Sequence, residues 1–166
     1  MPKTSTSARS RALSSHCLDQ QIGFLLRLTH QRVAGNLARQ FSGSGLNVPR
    51  YVVLSRLYEK GPLTQNLLGR LVAMEPCVIH DMVRSLEARG LVSRRSDEND
   101  GRRRIVDLTD DGRSLIERYL PLGNKANEES LNGLSRRDRE QLFSLLARLN
   151  AEAPCNADMP DNTDPS

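Results

Sequence analysis

The stretch of this chain richest in chemistry is DENDGRRRIVDLT, residues 97–109. Asp97, Glu98, Asn99 and Asp100 precede a glycine, then come Arg102, Arg103 and Arg104 and a strand-like run. Arg94 and Arg95 stand just before it. Guanidinium groups are permanent cations with a planar fork of donors, which suits phosphate, carboxylate and the acceptor edge of guanine. A second group lies upstream, where Cys77, His80, Asp81, Arg84 and Glu87 recur at helical spacing beside Pro76. Neither group carries a catalytic motif. The three histidines, at 16, 30 and 80, fall on separate segments, and no HExxH, GxSxG or clustered-carboxylate motif occurs. The chain reads as a binder and not as an enzyme. Cys17, Cys77 and Cys155 are far apart and lack CxxC spacing, which points to a reducing compartment and against a zinc site. No cofactor is expected.

The elements that must position these residues follow from apolar periodicity. Ile22, Leu25, Leu26, Val33, Leu37 and Phe41 make a helical stripe from Leu18 to Phe41, broken by SGSG at 42–45. Asn47 caps a second helix, with Pro49 in its first turn, carrying Val52, Val53, Leu57 and Tyr58 and stopping at Lys60-Gly61-Pro62. Thr64 caps a short third helix bearing Leu67, Leu68, Leu71 and Val72, and a break follows near Ala73-Met74. Glu75-Pro76 opens a fourth helix running to Arg89 and ended by Gly90. Its inner face is expected to be Val78, Ile79, Met82, Val83 and Leu86, with the polar group above facing outward. LVSRRS and IVDLT, joined by a polar connection containing glycine, predict a β-hairpin. Thr109 caps a fifth helix, which Pro121 should kink and Gly123 should loosen. Ser135 to Asp138 forms a capping box for a sixth helix, with Leu142, Leu145, Leu146 and Leu149. The expected fold class is mainly α: six helices plus a β-hairpin.

A short helix, a tight break and a second helix with a polar face is a helix-turn-helix, and the hairpin makes it a winged one. The physics suits duplex DNA. The second helix of the pair fits the major groove, and a hairpin tip can carry Arg into the flanking minor groove. The alternative is a small helical domain with a solvated turn; five arginines around the hairpin weigh against it. Pro76, Cys77, His80 and Arg84 are the candidates for reading bases, although His80 could be an ordinary solvated residue. Gln65 and Asn66, opening the third helix, are candidates for holding phosphates. Arg102 is the candidate minor-groove finger. Arg103 and Arg104 alternate in direction, so Arg104 should face the strand of Arg94 or a phosphate. Asp100 is expected to tie down an arginine of the loop and so aim Arg102. Asp81 would repel phosphate; it either pairs with Arg84, the favoured reading, or accepts from cytosine N4.

The ends differ from the body. Residues 1–15 carry Lys3, Arg9 and Arg11 and no acid, the composition of an arm that touches DNA and also of a transit peptide, the arm being favoured. From Ala151 onward there are four acids, three prolines and no base. Both read as disordered tails of one domain at 16–150. The net charge of +4 permits nucleic acid without demanding it. No apolar run approaches the ~20 residues of a membrane span, and the expected location is cytoplasmic, with the nucleoid.

GPLTQNLLGRLVAMEPCVIHDMVRSLEARGLVSRRSDENDGRRRIVDLTDDGRSLIE resembles the DNA-binding half of MarR-type bacterial regulators. The most specific piece is Asp100-x-Arg102 followed by Leu108-Thr109, and the likeness extends over about residues 20–150. The resemblance implies a homodimer whose first, fifth and sixth helices interlock: 16–46 and 110–150 for dimerisation, 47–109 for DNA. It also implies a repressor on a pseudo-palindromic operator, released by a small ligand. QIGFLLRLTHQR, TQNLLGRLVAMEP and the Pro121 kink resemble the subgroup that governs aromatic-acid catabolism. A ligand pocket between the dimer helices and the winged lobe would then draw on Arg27, His30, Tyr51 and Arg56, with Arg27 suited to a carboxylate. The alternative keeps the fold and makes Cys17 or Cys77 a thiol redox sensor.

Overall fold

The computed structural model describes residues 18–97, 100 and 103–152. A 3₁₀ turn, Leu18–Gln20, leads into α1 (Ile22–Gln40). Then follow α2 (Val48–Lys60), β1 (Leu63–Thr64), α3 (Gln65–Leu71), α4 (Pro76–Ala88), β2 (Val92–Ser96), β3 (Arg104–Leu108), α5 (Asp110–Ser130) and α6 (Arg136–Glu152). The expected winged helix-turn-helix with six helices is what the chain forms.

The caps sit where the residue types place them. Asn47 Oδ1 accepts from the Arg50 amide at 3.0 Å, Thr64 Oγ1 from Leu67 at 3.3 Å and Thr109 Oγ1 from Gly112 at 3.0 Å. The Ser135 amide donates to Asp138 Oδ2 at 3.3 Å and the Asp138 amide to Ser135 Oγ at 3.2 Å, completing the capping box. Each satisfies an amide that helix geometry leaves orphaned. The Thr109 hydroxyl also donates to the Gly90 carbonyl at 2.6 Å, so one residue joins the end of α4 to the start of α5.

Val53, Leu54 and Leu57 of α2 form the core with Leu68 of α3 and Ile79, Val83 and Leu86 of α4. Leu91, Val92, Val106 and Leu108 close it from the sheet, and Ile116 from α5. Burying each such side chain stabilises the fold by roughly 1.5–3 kcal/mol. The core therefore belongs to the middle of the chain, the part that presents the polar groups.

Three expectations are corrected. The hairpin is part of a three-stranded antiparallel sheet of order β1-β3-β2, because Leu63 and Thr64 pair with Val106 and Ile105. Two residues are too short for a strand pattern to show. Gly123 does not loosen α5: a Cβ there would lie 1.9 Å from the Tyr51 hydroxyl, so the glycine is what allows α2 and α5 to approach. Pro121 lies inside α5, on an exposed side, and the helix runs on to Ser130. Val78, expected inside, is 47% exposed, since the core stripe of α4 narrows to Ile79, Val83 and Leu86.

The terminal helices bury little within one chain. In α1 only Asn36 is buried, its Nδ2 donating to Ser130 Oγ of α5 at 2.8 Å. Gln40 reaches Glu129 at 3.1 Å beside it. Ile22, Leu25, Leu26 and Leu28 of α1 and Phe143, Leu145 and Leu149 of α6 are exposed.

Candidate nucleic-acid interface

Helices α3 and α4 are joined by a tight turn. After Leu71 the Met74 amide donates to the Gly69 carbonyl at 3.0 Å, and Ala73 takes φ 52°, the left-handed value that glycine usually supplies. Pro76 then starts α4, with Glu75 as its N-cap residue. Buried Ile79, Val83 and Leu86 set the inward face, and Cys77, His80, Asp81 and Arg84 are all exposed on the other side.

The sides of α4 are tethered by polar contacts to four different segments. Gln65 Nε2 lies 3.3 Å from His80 Nδ1, tying α3 to the second turn. Arg50 of α2 donates to Ser85 Oγ at 3.2 Å. Arg89 donates to the Gly45 carbonyl at 3.2 Å. Glu87 accepts from Arg94 Nε of β2 at 2.8 Å. That arginine holds the Glu87 carboxyl below its ordinary range, chiefly by hydrogen bonding. Glu87 was expected to point outward with the polar group, and it is half-buried against the wing instead.

Of the residues named from sequence, Asn66, Pro76, Cys77, His80 and Arg84 are exposed, and Gln65 is half-buried because it reaches His80. Arg94 is engaged by Glu87, so its charge is largely matched within the chain. Asp81 and Arg84 do not form the favoured ion pair: both are exposed, and among the described residues neither closes on the other.

In the wing, Arg95 pairs across the sheet with Ile105, and Ser96 with Arg104, whose guanidinium donates to Ser96 Oγ on the strand of Arg94. The Asp97 amide donates to the Arg103 carbonyl at 3.0 Å, and the Arg103 amide to the Asp100 carbonyl at 2.9 Å. Asp100 Oδ2 lies 3.2 Å from Arg103 Nε. Among the described residues, Arg103 is a loop arginine that Asp100 holds. Arg102 lies outside the described residues, as do Cys17, the N-terminal tail and residues 153–166 of the C-terminal one.

Among the described residues, no hydrogen bond or ion pair joins to one another the four residues named for a small ligand. Arg27 and His30 are exposed on α1. Tyr51 packs on Phe41, with ring centroids 4.8 Å apart, and on Gly123. Arg56 pairs with Glu59 at 2.9 Å. Sequence reasoning passed over Arg50 and Arg89; no spacing rule marks them, since their partners lie on other elements.

The profile of the MarR family matches residues 46–103, from the start of α2 to the wing. The structure of a probable transcriptional regulator from Pseudomonas aeruginosa is 43% identical, covering 80% of this chain and 99% of that one, with a TM-score of 0.73. This chain belongs to the MarR family. The HTH-type transcriptional repressor NicR of Pseudomonas putida is 29% identical over 147 residues, 89% of this chain and 93% of that protein. A structure of BpsR from Bordetella bronchiseptica, described for regulation of its DNA binding by 6-hydroxynicotinic acid, is 27% identical. It covers 81% of this chain and 96% of that one, with a TM-score of 0.76. The MarR chain is accordingly a transcriptional regulator. MarR regulators bind DNA and small molecules. No described helix of this MarR chain is long and apolar enough to cross a membrane.

Proposed function

We propose that this regulator is a homodimeric repressor that binds a pseudo-palindromic operator through α4 and the wing and is released by a small aromatic acid or a derivative of one. The observation that carries the DNA reading is the setting of α4. It is held at its sides by Gln65, Arg50, Arg94 and the Gly45 carbonyl while its far face stays open. A helix fixed in this way loses little freedom on entering a groove. Cys77, His80 and Arg84, with Pro76, face base edges; Gln65 and Asn66 hold phosphates; Asp100, Arg102, Arg103 and Arg104 form the wing contact. Arg94 serves mainly to join the wing to α4.

The dimer reading rests on the exposed apolar residues of α1 and α6, which water would not favour on a lone chain. Residues 16–46 and 110–150 would pair two copies, placing two α4 helices in successive major grooves, roughly 34 Å apart. NicR is a repressor by name and BpsR responds to 6-hydroxynicotinic acid, which supports an aromatic carboxylate as effector. Arg27 is its proposed anchor, with His30 beside it on α1; Tyr51 and Arg56 would line the pocket while keeping the contacts they already have. Such a ligand acts by preferring the lobe spacing that does not fit DNA.

The test is a gel shift on a duplex selected from a random library, repeated with a panel of aromatic acids and their thioesters. A selected duplex released by one of the panel supports the reading; equal affinity for selected and random duplex at fixed salt overturns it. A second reading, thiol sensing, is favoured by one observation: Cys77 is free and exposed on the first turn of α4. Peroxide release that survives Cys77→Ser and Cys17→Ser would remove it.

A further inference from the structure

We infer that Asp81 is a base-reading residue that selects cytosine in the major groove. The inference rests on the proposed operator binding by α4 and adds to it a residue and a base. Asp81 lies on the side of α4 opposite Ile79, Val83 and Leu86, which are buried, and is itself exposed. In a helix the residue three places on is a surface neighbour, so Arg84 was the obvious partner. The ion pair does not form, and among the described residues no other cation closes on Asp81. Glu87, six residues on, is the contrast: its carboxylate is matched by Arg94 and turned to the wing.

An unmatched carboxylate at the centre of a groove-facing surface has two consequences. It repels the flanking phosphates, which lowers affinity for every sequence alike. It also offers acceptors and no donor, so it gains only where the groove presents a donor. The major groove has two, adenine N6 and cytosine N4. Adenine N6 sits beside the N7 acceptor, which repels a carboxylate and suits Asn or Gln. Cytosine N4 has no acceptor on its own base edge in the groove, and this is the donor that an aspartate accepts from. His80, next to Asp81, meets Gln65 at 3.3 Å and not Asp81.

The experiment selects preferred duplexes from a random library with the full-length chain, then with Asp81→Asn and Asp81→Ala. The wild-type consensus should contain, in each half-site, a C·G pair whose replacement by T·A weakens binding about tenfold. Asp81→Ala should lose that preference and bind the consensus about tenfold more weakly, while binding unselected duplex more tightly. Asp81→Asn should select A·T at the same position. Asp81→Ala tightening both duplexes alike would overturn the inference and leave operator binding standing. So would Asp81→Asn retaining cytosine. A wild-type chain that selects no sequence would overturn the proposed operator reading and this inference together.

Discussion

Glu87, on the last turn of α4, and Arg94, on β2, share an ion pair that joins the helix proposed to enter the groove to the wing beside it. The two side chains are 35% and 28% exposed, so the pair is neither a loose surface contact nor a buried one. Its contribution is positional: α4 and the sheet cannot slide without breaking it.

The pair makes a pH prediction. The Glu87 carboxyl titrates below its ordinary value of 4.5 because Arg94 donates to it. A lowered folded-state value means that the contribution is fully present above the unfolded value and is lost as pH falls through the folded one. Partial exposure limits it to about 0.5 kcal/mol. Urea unfolding at about pH 7 and about pH 3 should show a smaller loss on acidification for Glu87→Gln than for the wild type, by about that amount. Equal losses would mean that the pair adds no stability.

The wing makes a second. Asp100 contacts Arg103 through its carboxylate and its backbone carbonyl, which shapes the loop leading to β3. Asp100→Ala should weaken binding to a selected duplex even though it removes a negative charge. Arg102→Ala should weaken it more while leaving the dimer intact by light scattering. Tighter binding by Asp100→Ala would reduce the acid to a solvated turn residue.

Gly112 makes a third, about stability. A Cβ at this position would lie 1.9 Å from the Leu91 carbonyl oxygen, which is backbone and cannot swing aside. Gly112→Ala should therefore cost about 1–3 kcal/mol or more, read as a lower urea midpoint, because α5 must move off the junction between α4 and β2. Gly123→Ala meets a side chain instead, the Tyr51 hydroxyl. Adding Tyr51→Phe should recover part of its loss.

The exposed apolar faces make a fourth. Leu26→Glu on α1 and Leu145→Glu on α6 should shift the chain to a monomer in sedimentation velocity and lower its affinity for a two-half-site duplex. The far-ultraviolet circular dichroism should be unchanged, since both residues are exposed within one chain. A dimer that survives both would place the interface elsewhere.

Arg27 makes a fifth. Arg27→Ala should leave duplex binding intact and raise about tenfold the aromatic-acid concentration needed for release, the loss of one charged hydrogen-bonding anchor. A variant indistinguishable from wild type in thermal shift with the same acids would exclude Arg27 from the pocket.

Much of this fold was legible residue by residue. Asn47, Thr64, Thr109 and Ser135 announce helix starts because the amide each one satisfies lies three residues on, within reach of the same short segment. The break at Ala73-Met74 was readable as a loss of apolar period, and the winged helix-turn-helix followed from the order of elements. The family likeness lay in the strings around Asp100-x-Arg102 and Leu108-Thr109.

What the sequence by itself determined, then, is where elements begin and end, which face of α4 turns inward, and that a polar face and an arginine-rich wing lie next to each other in the chain. These depend on backbone geometry and side-chain period, which act over a few residues. Only the tertiary structure decided the partners. Glu87 meets Arg94, Gln65 meets His80, Arg50 meets Ser85 and Tyr51 meets Gly123 because separate elements happen to dock on one core. Asp81 was the test case. At i,i+3 its pairing with Arg84 was available locally, and the folded chain leaves both side chains open to solvent. Helical spacing permits such a contact, but rotamers and competing neighbours choose whether it is made.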